Sequence, residues 1–155
     1  MKYRYLEGVT VSDCAFEAIG KNEKELLENS ALAVFEEMAA TKKVPLKLKR
    51  KIAVSGNDLE MLLYNFLAEI ILLKDTENMV FGKIAVKIEK QKKHGKTKEL
   101  SKPKREWKAT AFLWGEKVEK LGNTIIRRDV KAVTWHLFKI EQNKNGFKAT
   151  VVLDI

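Results

Sequence analysis

A single cysteine, Cys14, rules out an internal disulfide and any cysteine-rich zinc module. Only two histidines, His94 and His136, are present, so a multi-histidine zinc site is excluded as well. No glycine-rich phosphate loop, GxSxG elbow, HExxH or CxxC string occurs in the chain. Long apolar runs are missing too. The richest, Met61 to Leu73, is broken by Asn65 and Glu69 and falls short of the roughly 20 residues that a spanning helix needs. No basic, apolar, small-residue leader opens the sequence, which points to a cytoplasmic protein with no membrane partner. What is there is 155 residues, 45% hydrophobic and 33% charged, a balance that buries one core and argues against disorder.

The net charge of +9 is unevenly spread. Between Lys83 and Lys108 stand eleven basic residues against three acids, a net of +8, so the rest of the chain is close to neutral. A stretch of this kind attracts phosphates without reading sequence, and its affinity should fall steeply with salt. A lysine-rich loop is also often no more than a solvated tip.

Two segments carry the spacing of helices. From Lys24 to Ala39, Leu26, Leu27, Ala31, Val34, Phe35 and Met38 form one stripe, with Asn22 and Glu25 supplying a capping box after Gly20. From Asp58 to Leu73, Leu59, Leu62, Leu63, Phe66, Leu67, Ile70 and Ile71 face inward, and Asn57 with Glu60 repeats the cap pattern. Most of the rest alternates with a period of two, as half-buried strands do. The expected strands are Tyr3 to Glu7, Val9 to Ile19, Leu46 to Val54, Val80 to Ile88, Trp107 to Trp114, Val130 to Ile140 and Phe147 to Ile155. Residues 89–106 read as a long basic hairpin tip, and Asn143 to Gly146 as a tight hairpin turn. The order β, α, β, α and then a run of β predicts one α+β domain over residues 1–155, with two helices against a largely antiparallel sheet. No internal repeat is read.

Chemistry-bearing residues are few. Cys14 with His136 could make a nucleophile and its base, but a cysteine alternating with apolar residues in a strand is far more often core filler. Asp13 sits in a strand of otherwise apolar and small residues, and Asp154 precedes Ile155, whose α-carboxylate is one residue away. Brought together, these carboxylates would repel unless a cation joined them, and all-oxygen ligation suits a hard divalent ion such as calcium. The bland alternative is that Asp13 caps a turn and Asp154 is solvated. Alternation through Val130 to Phe138 would set Lys131, Val133, Trp135 and Leu137 on one face, where Lys131 either snorkels to the rim or meets an anionic partner.

The string Lys131-Ala132-Val133-Thr134-Trp135-His136, followed by the terminal Val151-Val152-Leu153-Asp154-Ile155, closely resembles the C-terminal half of archease proteins. Tyr5-Leu6-Glu7, the Asp13 strand, Phe16-Glu17-Ala18, Gly20, the Glu25-Leu26-Leu27 helix and the Asp58 to Leu73 helix extend the likeness over nearly the whole chain. The resemblance implies a protein cofactor, not an enzyme. Archeases promote guanylylation and repeated turnover of the tRNA-splicing RNA ligase, which makes that ligase the expected partner. It further implies that Asp13, Asp154 and Ile155 hold a divalent metal, usually calcium, and that Lys131 takes part in ligase activation. tRNA would be met through the basic hairpin. Many family members carry His-Thr-Ala-Asp before the strand, whereas this chain reads Gly8-Val9-Thr10-Val11-Ser12-Asp13 and lacks the histidine. The other expectation is a basic RNA-binding module or a chaperone-like protein acting in tRNA processing, although no RRM, KH or dsRBD signature is present.

Overall fold

The computed structural model describes residues 1–8, 13–93 and 104–155. Its elements in chain order are β1 (Tyr3–Leu6), β2 (Cys14–Gly20), α1 (Glu23–Met38), β3 (Leu48–Gly56), α2 (Leu59–Glu77), β4 (Met79–Lys93), β5 (Lys104–Lys117), β6 (Ala132–Val133), β7 (Lys139–Asn143) and β8 (Gly146–Asp154). The class is α+β, as expected, but the strands form two sheets. One runs β1-β2-β8-β6 with β7 also on β8, and the other runs β3-β5-β4; every pairing is antiparallel. Both helices contribute to one apolar cluster with the inner faces of both sheets, centred on Phe16, Phe35, Phe66 and Phe81.

Each helix starts where polar chemistry allows it. Asn22 Oδ1 accepts from the Glu25 amide at 2.8 Å, which satisfies one of the orphan donors of the first turn of α1. For α2 the cap is Asp58, not Asn57: Asp58 Oδ1 accepts from the Met61 amide at 2.7 Å. The helix also continues four residues past Leu73, until Asn78 turns it off in the left-handed region (φ 51, ψ 52).

The two strand–helix units repeat each other, against the expectation of no repeat. Gly20 and Gly56 end β2 and β3, a cap follows two residues later, and Asn29 and Asn65 then reach back to the strand. Asn29 Nδ2 donates to the Ile19 carbonyl at 2.7 Å, and Asn65 Nδ2 donates to the Ser55 carbonyl at 2.8 Å. Both glycines are required by close approach. A Cβ on Gly20 would lie 2.3 Å from the Leu26 amide nitrogen, and one on Gly56 would lie 2.5 Å from that of Leu62.

Several expected strands have other bounds or are described only in part. The strand after β1 is described only from Cys14, since residues 9–12 lie outside the described residues. β4 and β5 stay paired through Lys93 and Lys104, so the basic stretch is ladder at residues 89–93 and 104–106; the remainder of that predicted tip, with His94, lies outside the described residues. The predicted strand from Val130 to Ile140 is only two residues long at β6. It gives way to a turn in which Leu137 has φ 56, and Trp135, His136 and Leu137 are exposed. The expected alternation therefore fails: Val133 is buried, whereas Lys131, Trp135 and Leu137 face solvent. Trp135 instead stacks on Tyr64 of α2, with centroids 3.9 Å apart and planes 7° apart, and Phe138 packs edge-on against both rings.

Candidate metal and partner-contact site

Segments far apart in the sequence meet because β2 pairs with β8. Cys14 stands opposite Leu153 at the end of that ladder, and Asp13 and Asp154 are the next residues beyond it on the two segments. On the other side of β8, Ala132 pairs with Asp154, and the Lys131 amide donates to the Asp154 carbonyl at 2.8 Å. Asp13, Lys131 and Asp154 thus come from three different strands or strand ends to one end of the central strand. Asp154 and Lys131 are exposed, Asp13 is half-buried, and Ile155 packs its side chain against the core.

The donor chemistry at this end is that of oxygen. Cys14 is buried, and burial pushes its thiol up to about 12, with the negative charge of Glu37 and a hydrogen bond to it adding to the effect. A thiol raised in this way stays protonated at neutral pH, which suits core packing better than nucleophilic work, and His136 stands exposed on the turn after β6. Among the described residues no group of three or more His, Cys, Asp and Glu side chains is placed to hold a metal. Asp13 and Asp154 supply two carboxylates, so a hard cation here would need further oxygens, from the Ile155 carboxyl group and from water.

A shallow pocket beside Asp13 is lined by Tyr5, Leu6, Cys14, Glu37 and Arg128. Arg128 Nε lies 3.3 Å from Glu37 Oε1, within ion-pair distance but without hydrogen-bond geometry, and that buried oxygen has no hydrogen-bond partner among the described residues. Tyr5 donates to the Ala33 carbonyl at 2.7 Å, and its hydroxyl is held well above its ordinary pKa by burial first and by the neighbouring Tyr3 and Glu37 second.

Sequence reasoning overlooked Lys74. Its ammonium is buried and donates to the Val130 carbonyl at 2.7 Å, while also pairing with Asp75 at 2.8 Å and with Asp129. Burial alone would lower its pKa; the hydrogen bonds and charges of Asp129 and Asp75 outweigh that, and the net direction is up. Through Val130 this lysine fixes the segment that carries Lys131 to the edge of β8. The signal was present, since Lys74 continues the stripe of Ile70 and Ile71 at i+4 and i+3, where an apolar residue was due.

The class is that of an α+β chain with two helices on antiparallel sheets, in which the start of β2, the end of β8 and Lys131 meet at one sheet end. The Archease protein family (MTH1598/TM1083) model matches residues 3–155, and the chain belongs to that family. It is 38% identical to the Protein archease of Sulfurisphaera tokodaii over 155 residues, covering 99% of each chain. It is 36% identical to that of Pyrococcus abyssi over 145 residues, covering 93% of each. The solution structure of Methanobacterium thermoautotrophicum protein 1598 superposes with a TM-score of 0.74 at 28% identity and 99% coverage of both chains. The crystal structure of a Thermotoga maritima archease, described as a possible chaperone, shares the fold with a TM-score of 0.59 at 22% identity over 94% of this chain and 93% of that one. No helix of the described residues is long and apolar enough to cross a membrane.

Proposed function

We propose that this chain is a protein cofactor of the tRNA-splicing RNA ligase, promoting guanylylation of the ligase and its repeated turnover. Membership of the archease family supports the reading, and the single observation that carries it is the convergence of Asp13, Asp154 and Lys131 at one end of β8. In this reading Asp13, Asp154 and the terminal carboxylate of Ile155 hold a divalent ion, calcium by preference for oxygen ligands. The ion would neutralise carboxylates that otherwise repel, and so would fix the sheet end as a rigid contact surface. Lys131 would then meet an anionic group of the ligase, with the exposed Trp135 and Leu137 beside it forming apolar contacts. The basic strands β4 and β5 would speed the encounter with a tRNA-loaded ligase.

The test is a ligation assay with catalytic amounts of ligase, with and without this protein, scored for product per ligase. Several turnovers only in its presence support the reading; one turnover in both arms refutes it.

A further inference from the structure

The β3-β5-β4 sheet has one face in the core and one face in solvent. Leu113, Ile52 and Val86 mark the inner face. The outer face carries Phe112 and Trp114 two residues apart on the central strand, and the register sets lysines on both sides of them. Lys49 and Lys83 lie opposite Trp114, Lys51 lies opposite Phe112, and Lys87 lies opposite Thr110 on the same face. All four lysines are exposed. Lys49 Nζ is 4.3 Å from the Phe112 centroid and 5.3 Å from that of Trp114, Lys51 Nζ is 6.0 Å from Phe112, and Lys83 Nζ is 4.7 Å from Trp114. Among the described residues no carboxylate is in ion-pair range of Lys49, Lys51 or Lys83, while Lys87 pairs with Glu89 at 3.4 Å.

Neither ring fills the core, and together they form one partly exposed aromatic patch on an outward face. The ammonium groups of Lys49, Lys51 and Lys83 lie near the rings now, and none of the three has a carboxylate partner among the described residues. The rings lie side by side, 6.5 Å between centroids. Flat apolar faces at adjacent positions, ringed by cations, match a ligand whose own flat rings alternate with anions along a flexible chain. An acidic protein surface would satisfy the lysines and leave the rings unused; a duplex would hide its bases.

We propose that this face binds a single-stranded polynucleotide, with bases stacking on Phe112 and Trp114 and phosphates on Lys49, Lys51, Lys83 and Lys87. The site is separate from the Asp13, Lys131 and Asp154 end of the molecule and stands independently of the ligase reading. Stacking and phosphate contacts do not read the sugar, so RNA and DNA strands of one sequence bind alike.

The test uses fluorescence anisotropy of the full chain with a labelled mixed-sequence RNA of about 12 nucleotides, the matching DNA, the duplex, and polyglutamate as competitor. Phe112→Leu and Trp114→Leu are each expected to weaken single-strand binding by about ten-fold, and Trp114→Phe to keep most of it. The Lys49→Ser/Lys51→Ser variant, altered only at exposed positions, should make the log–log salt slope shallower by about 1.4. Melting curves report whether each variant is folded. Should a leucine variant fail to fold, Trp114→Phe and the serine pair decide alone, and an unchanged salt slope overturns the proposal. It is equally overturned if folded leucine variants bind as wild type does, or if polyglutamate displaces the strand at matched charge, which marks an acidic protein partner. Because no ligase is present, this result and that of the ligation assay can fail separately.

Discussion

Replacing Lys74 by Met keeps most of the aliphatic stem in place and removes the ammonium. The buried Val130 carbonyl then loses its hydrogen bond, which costs about 1–3 kcal/mol for an orphaned buried acceptor. The carboxylates of Asp75 and Asp129 are 55% and 69% exposed, so water takes over their solvation and each lost pair adds no more than about 1 kcal/mol. Against this, the variant no longer desolvates an ammonium. The net loss is about 2 kcal/mol, a fall in Tm of about 4–8 °C for a chain of this size, read by circular dichroism melting. A pH series sharpens the test. Because the folded pKa of Lys74 is raised, its contribution is complete below the unfolded lysine value of about 10.4 and fades as pH climbs through the folded value. The difference between wild type and variant should therefore stay flat from about pH 7 to about pH 10 and shrink above that range. Lys74→Met melting within about 1 °C of wild type at neutral pH would refute the claim that this lysine holds the β6 segment.

Asp13→Asn and Asp154→Asn should each weaken calcium binding by at least about ten-fold in calorimetric titration while leaving the melting curve near wild type; equal affinities would remove both residues from the site. Lys131→Ala, at an exposed position, should change stability by less than about 0.5 kcal/mol yet slow formation of the guanylylated ligase, and an unchanged rate would deny it a direct role. Gly56→Ala drives a methyl to 2.5 Å from the Leu62 amide nitrogen, and urea titration should show a loss of roughly 1–3 kcal/mol. Glu36 is partly buried, which alone would raise its pKa, but hydrogen bonds from Thr41 and the charge of Arg127 lower it overall. Glu36→Gln should therefore destabilise at neutral pH and cease to differ from wild type as pH falls below the carboxylate range.

Helix positions were legible because they depend on neighbours in sequence. The apolar spacing of Leu62, Leu63, Phe66, Leu67, Ile70 and Ile71 is a local pattern, and these residues are buried. Asn57 and Asp58 could both cap α2, and the choice fell on Asp58 because Gly56 must pass under Leu62, which sets how many residues the turn can hold. The repeat of the two strand–helix units was hidden, since it is carried by a glycine, a cap and one asparagine while the apolar residues between them vary. β6 was misread for a tertiary reason. Its residues have strong strand propensity, but between Thr134 and Lys139 the chain leaves β8 in a turn with Leu137 at φ 56, where Trp135 stacks on Tyr64, and then returns to β8 as β7.

The candidate site was legible as residue types and not as a place. Asp13 and Asp154 lie near opposite ends of the chain, and no local pattern says that β2 and β8 are neighbours or that their ladder ends next to both residues. Lys131 stood out as a cation in an apolar string, yet its position depends on Lys74, fifty-seven residues away, holding Val130. A lysine on the buried stripe of a helix is costly unless its charge is matched, so its presence there already implied an acceptor brought in from elsewhere in the chain. The acceptors are the Asp129 carboxylate and the Val130 carbonyl. Binding them draws the segment before β6 onto α2, and the Lys131 amide then reaches the Asp154 carbonyl. The lysine that breaks the helix pattern is what ties the fold to the site.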